Sequence, residues 1–598
     1  METDRLQDSF SAEDDAERIL GSRNRRFAAK PCGKRCCITV TMLGGVMTLV
    51  VVGILMGVAA GVALNPPETQ YRLEKEPVYW RNVAHDELQE TLGQRNPLGV
   101  AKNVILFLGD GMGPTTVTAA RILGGQKMKG RKGEEVKLSF DKFPFTGLSR
   151  TYNVDTQVTD SAASGTAYLT GVKTNQGMLG LSAHATRADC ESSHGHDVHS
   201  ILQWSLEAGK SVGVVTTTRV THATPGASYS HTPERNWEAD SDMPENSKCL
   251  DIAAQLVKNN PNISVIMGGG RSNFYTTQQN DPDPSSTAKG RRINTDLIQM
   301  WKDTQTKAGL SHSFVYDKEG LDRVDLMTTD RLLGLFNNTH MAYEVDRDPS
   351  KEPSIAEMTE KAIQILRKNE KGFFLLVEGG PIDHGHHATQ ASRALHDVLS
   401  MADAVDIATR VTKKEDTLVV VTADHSHTMT IAGYSHRGNP ILGVANPSNN
   451  TLDEMPYTTL LYGNGISYTS PRQNLTDVDT EDSNYHQQSA VPMEMETHGG
   501  EDVAIYATGP QSFLYTGVHE QNYIPIVMAY ASCVGDFAED KQNCARFHTY
   551  VTETNINVNV PPAPSQAQTQ DPNFATRLEQ PLLLLCLALL TPIVAKLM

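Results

Sequence analysis

The chain has 598 residues, 39% of them hydrophobic and 21% charged, with a formal net charge of −17. That length can bury a large core, as one oversized α/β domain or two smaller ones. No basic stripe offsets the acidity, which argues against nucleic acid as a partner; a phosphate ester stays open, because bound divalent cations invert the local field.

In chain order, a basic tail at 1–37 carries Arg23, Arg25, Arg26, Lys30, Lys34 and Arg35 ahead of an uncharged apolar stretch, Ile38–Leu64, long enough to span a bilayer. The bias predicts a cytoplasmic tail, a transmembrane signal-anchor at 38–64 and an outward-facing remainder; the alternative is a signal peptide cleaved near Ala63. Cys36 and Cys37 at the boundary are candidates for palmitoylation.

From about 70 to 545, strand-like and helical patterns alternate. Asn103–Gly109 runs apolar into Asp110, and Asp160 is a good helix cap before the small residues that start at Ser161. A helical pattern over Ser200–Lys210 precedes an apolar run, Ser211–Val215, that leads into Thr216–Thr224. Further helical spacing covers Leu250–Asn259, Ile355–Lys368 and Ala391–Thr412, with a buried strand expected at Ile263–Met267 and a polar surface loop at Asn273–Arg292. Gly372–Val377 ends in Glu378, shortly before Asp383-His384-Gly385-His386-His387, and Thr417–Ala423 ends in Asp424-His425. Tyr434–Glu496 is rich in Pro, Gly, Asn and Ser and reads as a surface insertion rather than sheet, with one more strand at Val503–Tyr506. Alternation of this kind predicts an α/β fold with a large, mostly parallel central sheet and helices on both faces. Four strands ending in metal-ligand types predict one metal-dependent site beyond their carboxyl ends.

A polar linker at 555–580 leads to an apolar run at 581–598, the pattern of a GPI-attachment signal, with Ser565, Asp571 and Asn573 as candidate attachment residues. Cys190, Cys249, Cys533 and Cys544 suggest two disulfides, and their order favours Cys190–Cys249 and Cys533–Cys544. Sequons at Asn262, Asn337, Asn449 and Asn474 predict glycosylation and fit the same exported compartment.

Several motifs occur together: Asp110-Gly111-Met112-Gly113, Thr159-Asp160-Ser161-Ala162, Thr221-His222-Ala223-Thr224-Pro225, Arg235-Asn236-Trp237 and Val377-Glu378-Gly379-Gly380. Ile382-Asp383-His384-Gly385-His386-His387, Thr422-Ala423-Asp424-His425-Ser426-His427 and Thr497-His498-Gly499-Gly500-Glu501-Asp502 follow. In this order they resemble the alkaline phosphatase family, closest to its membrane-attached animal enzymes, over roughly Tyr79 to Cys544. The resemblance implies a broad-range phosphomonoester hydrolase with an alkaline optimum and a phosphoserine intermediate on Ser161. It implies one zinc on Asp110, Ser161, Asp424 and His425, a second on Asp383, His387 and His498, and a magnesium on Asp110, Thr224 and Glu378. Arg235 matches the guanidinium that grips phosphate. His222 and His384 fall near the magnesium position, whereas His386 and His427 match no ligand role.

The resemblance also implies a homodimer in which the crown-like insertion lies at the interface, at the outer or lumenal face of a membrane. Calcium is not expected: many animal members use a Phe-Glu pair and a later acid, but here Phe336 is followed by Asn337-Asn338, with Glu352 further on. Pro381 stands where close relatives often carry Arg, at the cleft rim. Two other readings remain, a phosphodiesterase of the same superfamily and a catalytically silent surface binding protein on this fold. The Thr224/Glu378 pair and Arg235 favour monoesters, and no nucleophile or ligand is missing.

Overall fold

Asn103–Gly109 (β1) is buried along its whole length, and its side chains divide between two cores. Ile105 and Phe107 join one cluster with Met358, Ile363, Leu395 and Met401. Val104, Leu106 and Leu108 join another with Leu169, Leu202, Leu256 and Met528. A strand apolar on both sides must be covered on both sides, and helices on each face of the sheet do this. The helix Ile355–Leu366 shows how locally these elements are specified: Ser354 and Glu357 form a capping box, and its buried residues include Ile355, Met358, Ala362, Ile363 and Leu366.

The computed structural model describes residues 77–94, 96–128, 130–284, 286–446 and 451–539. The segments 38–64, 555–580 and 581–598, together with Cys36, Cys37, Cys544 and Asn449, lie outside the described residues. Among the described residues no helix is long and apolar enough to cross a membrane. The chain divides into an N-terminal unit ending at Glu87 and a body starting at Leu88. The body is built on strands β1, β2 (Phe145–Arg150), β3 (Ser211–Arg219), β4 (Val265–Gly269), β5 (His312–Val315), β6 (Arg331–Leu335), β7 (Phe373–Gly379) and β8 (Thr417–Ala423). They are followed by β9 (Ser426–His427), β10 (Met429–Ile431), β11 (Leu460–Gly465), β12 (Ser489–Pro492), β13 (His498–Gly499), β14 (Val503–Thr508) and β15 (Gly517–Glu520).

Among the described residues the central sheet has ten strands in the order β15-β2-β14-β8-β1-β7-β3-β4-β6-β5. Only β14 runs antiparallel, against β2 and β8. Register brings the strand ends to one rim: Glu378 pairs with Leu108 and Thr216, and Gly109 with both Gly379 and Ala423. The large parallel sheet is therefore as expected. The insertion differs in one respect, since no sheet is expected in it: β11 pairs with β12 on one side and with β10 on the other in a separate three-stranded sheet. Leu460 and Tyr462 are buried there, and a short apolar run inside turn-rich sequence sufficed to nucleate strands. Strands β2, β5, β6 and β15 also carried no alternation strong enough to be read.

Candidate active site

Asp110 follows β1, Glu378 lies near the end of β7, and Asp424 and His425 follow β8. Asp110, Glu378, Asp424 and His425 are fully buried. Gly111 turns the chain at φ +69°, and a Cβ there would meet His427 Nε2 at 2.4 Å, so only glycine allows this approach. The Gly111 and His425 amides both donate to Asp424 Oδ1, each at 2.9 Å.

Ser161 opens the helix Ser161–Thr170, whose first turn is capped by Asp160 accepting from Ala163 N. Ser161 Oγ lies 3.2 Å from His425 Nε2 and 3.5 Å from Asp110 Oδ1. His425 Nε2 is 3.2 Å from Asp424 Oδ2. Asp110, Asp424 and His425 form one set of atoms able to converge on an ion.

A second set lies beside it. His387 Nε2 and His498 Nε2 stand 3.1 Å apart, at 3.3 and 3.4 Å from Asp383 Oδ1. Tautomers follow from the other ring nitrogens. A carbonyl oxygen only accepts, so Nδ1–H of His387 donates to Glu496 O at 2.5 Å, that of His498 to Thr159 O at 2.8 Å, and that of His425 to Ser426 O at 3.2 Å. In its neutral form each ring then carries its lone pair on Nε2, which faces the site. Two such lone pairs and a carboxylate at these distances repel unless a cation lies among them. Asp110 Oδ2, Glu378 Oε1 and Asp424 Oδ2 are buried and make no hydrogen bond. Nitrogen and carboxylate donors without thiolate fit catalytic zinc.

The third group centres on Glu378. Burial raises its carboxyl to about 7, against hydrogen bonds from Thr216, Thr218 and Thr224. Burial, with the charges of Asp424, Asp383 and Glu378, holds Asp110 well above the usual carboxylate range. Uncharged hydroxyls and carboxylates around Asp110, Thr224 and Glu378 suit a hard ion. The converging set here contains Asp110, Glu378 and also His222, while Tyr168 OH donates to Thr224 Oγ1 at 3.1 Å. Arg235 Nη1 binds Asp160 Oδ2 at 3.0 Å, and its Nη2 donates to His222 Nε2 at 3.3 Å.

Three residues of this neighbourhood were not legible. His427 lies between carboxylates, with Nδ1 at 2.5 Å from Glu496 Oε2 and Nε2 at 2.8 Å from Asp383 Oδ1. Burial alone would lower it, but Glu496 and Asp383 raise it to about 10. Its pairing of β9 with β13, His427 opposite His498, is a tertiary event with no local signal. Glu496, buried beside it, read as the end of a surface insertion. His340 meets His384 edge to face with ring centres 4.2 Å apart, and its ring centre lies 5.3 Å from that of His222. His386 is structural, held between Thr116 Oγ1 at 3.0 Å and Tyr462 OH at 2.8 Å.

Away from the site, Cys190 and Cys249 form a disulfide; the pairing expected for Cys533 involves Cys544, outside the described residues. Asn262 and Asn474 are exposed, and half-buried Asn337 donates its amide to Glu352 Oε1 at 2.6 Å. The Glu352 carboxylate is therefore engaged by a neutral amide at the position considered for calcium.

A model of the alkaline phosphatase family matches residues 101–534. The tissue-nonspecific isozyme of alkaline phosphatase from Homo sapiens is 51% identical over 472 residues, which span 77% of this chain and 90% of that protein. An alkaline phosphatase from Gadus morhua is 48% identical over 472 residues, 77% of this chain and 98% of that protein. Among solved structures, alkaline phosphatase from Thermus thermophilus superimposes with a TM-score of 0.53 at 24% identity, over 73% of this chain and 93% of that one, a likeness of fold.

Proposed function

This chain belongs to the alkaline phosphatase family and is a metal-dependent phosphomonoester hydrolase, and from that premise we propose that it works through a phosphoserine formed on Ser161. The observation that carries the reading is the Ser161 hydroxyl, held at a helix start within 3.2 Å of His425 Nε2 and 3.5 Å of Asp110 Oδ1. Arg235 orients the ester by donating two parallel hydrogen bonds to phosphoryl oxygens. Asp160 holds that guanidinium in place until substrate arrives. Ser161 Oγ gives up its proton to water and attacks phosphorus in line; the Oγ–P bond forms as the P–O bond to the alcohol breaks, and the departing oxygen takes up a proton from water. Water then attacks the phosphoserine, breaks the Oγ–P bond and releases inorganic phosphate.

One zinc would be held by Asp110, Ser161, Asp424 and His425, a second by Asp383, His387 and His498, and a magnesium by Asp110, Thr224 and Glu378. Bound there, the ions supply Lewis-acid stabilisation of phosphoryl charge and lower the pKa of hydroxyl groups they touch. His222 and His384 orient groups around the magnesium position. Burial foremost keeps His222 well below the ordinary imidazole range, so it accepts from Arg235 instead of repelling it. The reaction gains from deprotonation, which sets an alkaline optimum.

The catalytic domain is taken as 70–545, carried at the outer or lumenal membrane face by the anchor at 38–64, a GPI group after the linker, or both. Glycans at the four sequons and a Cys533–Cys544 disulfide belong to the same reading. The dimer interface is assigned to the insertion, where Tyr434, Ile466, Val491, Met493 and Met495 are exposed, with Ile431 at the end of the adjoining β10. Hydrocarbon left in water favours burial against a partner surface.

The test is acid-quench trapping with phosphorus-labelled phosphate ester. Wild type should carry label on the Ser161 peptide, and Ser161→Ala should lose both the label and at least about 10³-fold in kcat/KM. A Ser161→Ala protein that still hydrolyses ester at the wild-type rate overturns the assignment.

A further inference from the structure

Four of the chain's 20 histidines, His184, His194, His196 and His199, fall within residues 184–199. None belongs to the catalytic constellation. The segment is a hairpin: Leu181 bridges Asp197 antiparallel, Ser182 N donates to His196 O at 2.8 Å, and Val198 N donates to Gly180 O at 2.8 Å. A tight turn with Ala185 N donating to Ser182 O at 3.2 Å places His184 across from His196. The loop between them is fixed to the body by the Cys190–Cys249 disulfide. The backbone under both imidazoles is therefore fixed before any ligand arrives.

The two rings lie with centres 5.4 Å apart and planes inclined by 32°. The catalytic pair His387 and His498 supplies an internal standard, with centres 4.9 Å apart and the same 32° inclination. Two imidazoles sharing one tetrahedral ion through bonds of about 2.0–2.1 Å place their ring centres roughly 5 Å apart. Among the described residues neither ring nitrogen of His184 or His196 makes a hydrogen bond, and His184 is exposed while His196 is half-buried. Nothing in the fold has to be displaced for both to turn a nitrogen toward one ion.

We propose that His184 and His196 form a surface site for a borderline divalent transition-metal ion, Cu²⁺ or Zn²⁺, separate from the catalytic centre. Imidazole selects this class over Mg²⁺ or Ca²⁺, and Cu²⁺ binds such donors more tightly than Zn²⁺. With two protein ligands and water completing the shell, the ion exchanges freely. His199 and His231, with ring centres 6.3 Å apart, do not offer the same geometry, because His231 Nδ1 is spent on Gly180 O at 2.7 Å.

The probe is Cu²⁺ added to full-length enzyme already saturated with zinc and magnesium. Electron paramagnetic resonance should show one copper per chain with two imidazole nitrogens. The variant His184→Asn/His196→Asn should lose that signal, while its ester hydrolysis and its content of the resident metals match wild type. His199→Asn should keep the signal. The proposal is overturned if wild type binds no such copper, if the double variant retains it, or if His199→Asn alone abolishes it. The unchanged hydrolysis in the double variant separates this result from any failure of the Ser161 reading.

Discussion

The rim where β1, β3, β7 and β8 end and the sheet β10-β11-β12 both assemble distant segments, but from opposite materials. At the rim, Asp110, Glu378, Asp383 and Asp424 are all buried with His425 and His427. Burial penalises charge, so such a cluster persists only where cations and opposite charges compensate it. In the insertion, apolar side chains are left exposed among polar ones: Ile466 and Val491 sit at the paired ends of β11 and β12, and Met493 N reaches Gly465 O at 3.3 Å. There the penalty falls on hydrocarbon left in water. On the proposed reading, ions complete the first region and a second copy covers the other.

The rim should fail first and hardest. Asp110→Asn removes a buried charge from two converging sets at once while keeping the side chain's shape. A loss in kcat/KM on the order of 10³-fold or more is expected, with metal content reduced when measured by atomic emission. Wild-type rates in this variant would break the claim that the rim is a charge site.

His427→Gln acts one step removed, since His427 links Asp383 to Glu496 through hydrogen bonds of 2.8 and 2.5 Å. The expected cost is about 10–100-fold in metal affinity, visible as activity that recovers in excess zinc. A kcat lost with unchanged zinc dependence would instead make His427 a participant in the chemistry.

Stability against pH sharpens the same contrast. Burial raises Glu378 from 4.5 to about 7. A group raised on folding stabilises the metal-free fold fully below its unfolded pKa and loses that contribution as pH climbs through the folded value. Stripped of metal, the protein should therefore lose on the order of 3 kcal/mol between pH 4.5 and 7 from this group. Metal needs the deprotonated form, so the gap in Tm between loaded and EDTA-treated protein should widen over that window. A gap that narrows as pH rises would contradict the proton–metal competition.

The same contrast decides what could be read from sequence. Strands β1, β7 and β8, seven buried residues each, are mostly apolar, and the acids and histidines at their carboxyl ends stood out against those apolar runs. Helices Ile355–Leu366 and Ala391–Val411 were legible to within about two residues from their spacing and caps. His427, Glu496 and His340 were not, because each acts through a partner brought in by the fold: Glu496 reaches His427 across 69 positions. The insertion sheet was missed for a related reason. Its β11–β12 pair is parallel, so no hairpin turn announces it, and glycines and asparagines dilute the apolar signal.

The smallest effect on catalysis should come from the insertion, and it carries the most information about assembly. Val491 and Ile466 are 52% and 60% exposed, so a charge there meets water in an isolated chain and a hydrophobic partner in a dimer. The pair Ile466→Lys/Val491→Lys should leave folding nearly untouched, since exposed substitutions change stability by about 0.5 kcal/mol or less. If two copies share this face, each lysine is buried twice in the symmetric contact. Sedimentation at micromolar protein should then shift from dimer to monomer, with kcat changing by no more than about twofold, because Asp110, Glu378, Asp424 and His425 stand at the ends of β1, β7 and β8. A dimer unaffected by both charges would place the interface elsewhere. A monomer with a collapsed kcat would show instead that the two regions are coupled, Glu496 at the end of the insertion being the residue that links its sheet to His427 and His387.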